Sequence, residues 1–159
     1  MKKEKHILIS NIHRYFGVEF NNTTHRYFDK KNRTPEETEE MISYAHSALH
    51  HWKLYSGGTL ANVLRGEYMV AKAYALAGKK EEALVHANKC LQLAKDYPEE
   101  LKDFDFAFAN EVMALACKIN KDSAGFKKYK ALAEKSGNEI TGKGDRNVFF
   151  KGFKKYLGS

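Results

Sequence analysis

The sequence predicts an all-α protein of antiparallel helical hairpins, about six to seven helices in all, and three observations carry that expectation. Alternating runs of β-branched residues between turn clusters, the mark of strands, do not occur. Apolar residues recur instead at helical spacing through most of the chain. Start and stop signals cut that pattern into segments of helix length: Thr34-Pro35, Gly57-Gly58-Thr59, Gly78, Pro98 and Asn120-Lys121-Asp122.

The first helix is expected over about 13–30, where Phe16, Phe20, Thr23, Tyr27 and Phe28 share a face, and residues 1–12 read as an N-terminal tail. The run Ile7–Ile9 is too short for a signal core or a membrane span. Thr34 then caps a second helix, with Pro35 at its first position and Glu37 three residues after the cap. Glu36, Glu37, Glu39 and Glu40 suit the positive end of its dipole. Met41, Ile42, Tyr44, Ala45, Ala48, Leu49, Trp52 and Tyr55 form its apolar face.

A third helix, from Leu60 to about Ala77, is apolar all round, which marks a buried helix; only Asn62, Arg65, Glu67 and Lys72 interrupt it. A fourth, amphipathic helix follows to about Lys95, and Pro98 stops it. A fifth, about 103–119, is again apolar on every side apart from Asn110, Glu111 and Lys118. Phe126, Tyr129, Leu132 and Ala133 stripe a sixth. Ser136 to Gly144 reads as a linker, and a last helix, about 145–157, sets Phe149, Phe150, Phe153, Tyr156 and Leu157 against lysines. Domain organisation is therefore expected as a tail (1–12), a helical domain (13–135) and a linker with a capping helix (136–159).

Composition restricts the function classes. With 43% hydrophobic and 13% aromatic residues, the chain has enough apolar surface to fold rather than stay disordered. Cys90 and Cys117 sit among apolar neighbours with no CxxC motif, which fits small buried side chains in a reducing, cytoplasmic setting. The net charge of +7 is placed unevenly: residues 1–117 hold 16 basic and 16 acidic groups, whereas 118–159 hold 11 and 4. Lysine supplies nearly all of that excess, and the bidentate recognition of phosphate and bases favours arginine. The basic end therefore reads first as a solvated face. No GxGxxG, P-loop, GxSxG or CxxC signature is present, so no catalytic, cofactor or metal residues are assigned from motifs.

Ala71, Tyr74, Gly78, Ala83 and Cys90 fall at the small, aromatic, turn-glycine, alanine and small positions of a tetratricopeptide repeat (TPR). The second hairpin follows that repeat more loosely and lacks the turn glycine. Several segments together resemble a group of small bacterial TPR-like proteins with no established function. They are Phe20-Asn21-Asn22-Thr23, the stretch from Asp29 to Glu37, Ala45-His46-Ser47-Ala48 running into His51-Trp52, Asn62, Arg65-Gly66-Glu67-Tyr68, and Asp103 to Glu111. The resemblance spans about 15–135. Tyr68 departs from it, standing where that group carries tryptophan. It implies a TPR-like right-handed array of hairpins and names no substrate.

Polar groups on the two buried helices are the first candidate site: Asn62, Arg65, Glu67, Asn110 and Glu111. An unpaired buried charge is costly, so these groups need partners or a cleft. Arg65 and Glu67, two apart, cannot face each other, so Asp105 or Glu111 is the expected partner of Arg65. Either a sealed ion pair sets the register of the hairpins, or the groups line a polar concave groove. In the second case His46, His51, Trp52, Asn62, Arg65, Glu67, Asp105 and Glu111 are the binding residues. His46 and His50 sit four apart on one helix, as some metal sites require, yet one helix offers too few ligands. The leading expectation is a non-enzymatic module that binds a protein or peptide partner. A metal-binding or enzymatic bundle using His46, His50 and carboxylates is one alternative. RNA binding through the basic end is another, and an apolar face on the first helix would favour a homo-oligomer.

Overall fold

Seven α-helices form in the computed structural model, which describes residues Lys2–Gly158: α1 (Lys2–Asp29), α2 (Pro35–Leu54), α3 (Leu60–Leu76), α4 (Lys80–Asp96), α5 (Asp103–Ile119), α6 (Ser123–Glu139) and α7 (Lys143–Leu157). A single 3₁₀ turn, Pro98–Glu100, follows α4. No strand occurs among the described residues.

Local chemistry starts and ends these helices. Thr34 and Glu37 form the expected capping box: the Glu37 amide donates to Thr34 Oγ1 at 3.2 Å and the Thr34 amide to Glu37 Oε2 at 3.0 Å. The α3–α4 and α5–α6 turns share one hydrogen-bond pattern. The Lys79 amide reaches the Tyr74 carbonyl at 2.9 Å, and the Asp122 amide reaches that of Cys117 at 3.0 Å. Gly78 adopts φ +73° in the first turn, and in the second Lys121 takes φ +61° in place of a glycine. The hairpins are in register: α5 and α6 begin and end 43 residues after α3 and α4.

Consecutive helices pack on one another throughout, and the further contacts are α1 with α3, α3 with α5 and α5 with α7. The odd-numbered helices therefore share an inner layer, and α2, α4 and α6 lie outside it. This arrangement wraps α3 and α5 on several sides. Their Leu64, Val70, Ala71, Ala73, Ala107, Ala109, Val112 and Ala114 are completely buried, as apolar residues all round the axis require.

Two boundaries differ from the sequence reading. The first helix starts at Lys2 rather than near residue 13, because no proline interrupts 2–29 and the lysine- and isoleucine-bearing start propagates as helix. Ile7, Leu8, Ile9 and Ile12 stay exposed there. At the other end the expected linker is largely helical, since α6 runs to Glu139 and α7 begins at Lys143. Gly137 is buried against α7, and a Cβ placed there would lie 2.3 Å from Phe149 Cε1. Its missing side chain lets Phe149, completely buried, dock on α6. No helix among the described residues is long and apolar enough to cross a membrane.

Candidate functional site

A cleft of about 450 Å³ opens on the inner layer, lined by residues of α1, α3, α5 and α7. The volume falls in the range of small-ligand sites. Its walls are mostly aromatic and aliphatic: Phe28 from α1, Leu64, Tyr68 and Met69 from α3, Phe104 and Phe108 from α5, and Tyr156 from α7. α7 closes one side by reaching back to α1. Lys155 Nζ donates to the Phe28 carbonyl at 3.1 Å and pairs with Asp29 at 3.2 Å.

Arg65 and Asp105 stand at the rim as a fork-to-fork pair, Nε to Oδ1 at 2.8 Å and the second guanidinium nitrogen to Oδ2 at 2.9 Å. Asp105 is buried, but 40% of the Arg65 side chain is exposed, so the cation presents an open edge to the cleft. Asp105 Oδ2 also accepts the Lys102 amide at 3.0 Å, which caps α5 and fixes the carboxylate. The Arg65 guanidinium lies 4.9 Å over the Phe104 ring. Of the two expected partners of Arg65, Asp105 is the one that meets it.

Glu111 has a different role. It is completely buried and accepts the Tyr68 hydroxyl at 2.8 Å and the Lys72 ammonium at 3.4 Å. Lys72 also donates to Tyr68 Oη at 2.6 Å, and its Nζ sits 4.1 Å from the Tyr156 ring centroid, 5.0 Å from that of Tyr68 and 5.8 Å from that of Phe28. Burial pulls the Lys72 ammonium below its ordinary range, and Glu111 opposes that only in part. Burial and the Glu111 charge push the Tyr68 hydroxyl well above its own. Lys72 was not among the sequence-derived site residues, because it reads there as one interruption of an apolar helix. The available signal was its isolation within the otherwise uncharged stretch Tyr68–Ala77.

Glu67 points the other way, as its spacing from Arg65 requires. It is buried between α2 and α4, 2.6 Å from His86 Nδ1, 3.2 Å from Lys53 Nζ and 4.0 Å from Lys89 Nζ. Burial alone would raise its carboxyl, but the bonds from His86 and Lys53 and the lysine charges outweigh that and hold it below the usual range. His46 joins the same cluster, bonding Tyr74 Oη at 2.8 Å with its ring 5.4 Å from that of His86. It is half-buried between helices. His86 was not singled out from the sequence at all.

The other expected binding residues lie elsewhere. His51 sits against α1, 2.9 Å from His13 (Nδ1 to Nδ1) and ringed by Phe16 and Phe20. Trp52 covers Gly17. Asn62 caps α3 through the Thr59 amide at 3.0 Å. The eight residues thus divide among four places, and only Arg65, Asp105 and the underlying Glu111 belong to the inner cleft. His50 is exposed, and no group of three or more His, Cys, Asp or Glu among the described residues is placed to hold a metal ion. At the basic end, Phe149, Phe153 and Leu157 are buried while Lys127, Lys128, Lys151 and Lys154 are exposed. Phe149 and Phe153 thus belong to the core. Compared with protein-family models, curated proteins and solved structures, the chain matches none of them.

Proposed function

We propose that the chain is a non-enzymatic binding module of TPR-like construction that takes a segment of a partner protein in the inner cleft. The observation that carries this reading is the cleft itself: four helices contribute to one aromatic-lined recess of about 450 Å³ with the exposed edge of Arg65 at its rim. Such a recess accepts a side chain or a short peptide run, its rings supplying apolar contact area and the guanidinium an oriented set of donors. The two buried free cysteines, Cys90 and Cys117, suit a reducing, cytoplasmic location.

Val148 supplies the test, because it lines the cleft yet is 65% exposed, so changing it leaves the core alone. Peptides selected from a random displayed library on the wild-type protein are titrated against Val148→Trp. The bulky ring should remove binding while the melting temperature moves by no more than about 2 °C, as a surface change should. Equal affinity for both proteins would refute the cleft as the binding site.

A further inference from the structure

Lys72 places an amine at the floor of the cleft, and partner binding at the rim makes no use of it. Its side chain is only 6% exposed, yet it lines the recess, so its approach is from the cleft. Three aromatic rings surround Nζ and keep water away. Its acidic partner Glu111 is offset at 3.4 Å, and the Tyr68 hydroxyl lies between them, 2.6 Å from Nζ and 2.8 Å from Glu111 Oε2. A desolvated lysine beside a proton acceptor is the arrangement that turns an ammonium into an attacking amine. At the mouth, Lys151 has no acidic partner among the described residues, which favours a ligand that carries an anionic group.

We propose that Lys72 forms an imine with a small aldehyde or ketone that bears a carboxylate and enters the inner cleft. The Lys72 ammonium passes one proton through the Tyr68 hydroxyl to Glu111, which frees the electron pair on Nζ. That pair forms a bond to the carbonyl carbon as the C=O π pair moves onto oxygen. The oxygen then takes a proton from the new N–H group, giving a carbinolamine. Glu111 returns its proton to the hydroxyl, water leaves, and the nitrogen pair closes the C=N bond. The products are a protonated imine on Lys72, one water and the Glu111 carboxylate restored. No oxidant or reductant is consumed. Tyr68 and Glu111 act as the proton path.

The test uses the full chain at neutral pH with 4-carboxybenzaldehyde as the probe and cyanoborohydride to trap the imine, followed by peptide mapping. Lys72 should be modified about tenfold or more faster than the exposed Lys127, because the cleft both concentrates the aldehyde and supplies free amine. Benzaldehyde, without the carboxylate, should react more slowly at Lys72 and equally at Lys127. The Lys72→Met/Glu111→Gln variant should lose the fast phase in intact mass. Labelling of Lys72 at or below the rate of Lys127 in the wild-type protein would overturn the proposal, whatever the variants do. No peptide enters this measurement, so its outcome is independent of the partner-binding reading.

Discussion

Replacing Lys72 by methionine would expose how the inner layer is held together. The substitution keeps an unbranched side chain of similar length and removes only the ammonium, leaving Glu111 fully buried with the Tyr68 hydroxyl as its remaining partner. At 3.4 Å and an effective dielectric constant near 20, the lost attraction is about 5 kcal/mol. In the intact pair, that attraction is offset by the cost of taking both ions out of water, so the pair itself contributes little net stability. Breaking it leaves that cost standing on one side, and about 3–5 kcal/mol of destabilisation is expected. For a chain of this size the melting temperature should fall by about 10 °C or more. The Lys72→Met/Glu111→Gln double variant removes both charges while its amide oxygen still accepts the Tyr68 hydroxyl, so it should recover most of the loss. Urea denaturation and thermal melts at pH 7 measure all three proteins. A single variant within about 2 °C of wild type, or a double variant no more stable than the single, would refute the buried ion pair.

Two further expectations concern turns and titration. Lys121 holds φ +61° where the matching turn uses Gly78 at φ +73°, so Lys121→Gly should raise stability by about 0.5–1 kcal/mol while Gly78→Ala lowers it by about 1 kcal/mol, both read from melts. The same sign for both changes would contradict the backbone strain. Burial, then the neighbouring histidines, holds His46 and His51 below their ordinary range. The unfolded chain therefore binds more protons as pH falls through about 6.5, and stability present above that value is lost below it. Melting temperature should drop between pH 7 and 5, and His51→Gln should flatten that drop. A melting curve unchanged over this range would count against the placement of both rings.

The sequence determined the secondary structure and the layering. Helical periodicity, the Thr34 cap, the Gly78 turn and two helices apolar on every side are local signals, and α2 to α5 form within a residue or two of where those signals put them. It also determined that the charges on α3 and α5 need partners, since burial follows from the apolar pattern. The N-terminal extension of α1 escaped notice because Lys2–Ile12 lacks an apolar stripe of the usual period, and its helix rests on propensity without a breaker. Only the tertiary structure decided which charges meet. Glu67 and Arg65 diverge to opposite sides of one helix, Arg65 takes Asp105 rather than Glu111, and Glu111 takes Lys72, 39 residues away. Pairing of this kind depends on where neighbouring helices set their side chains in space. Coulomb attraction and desolvation act over a few ångströms of that space, whatever the separation along the chain. For the same reason the cleft was invisible beforehand: it lies between α1, α3, α5 and α7, and no one of those helices contains it.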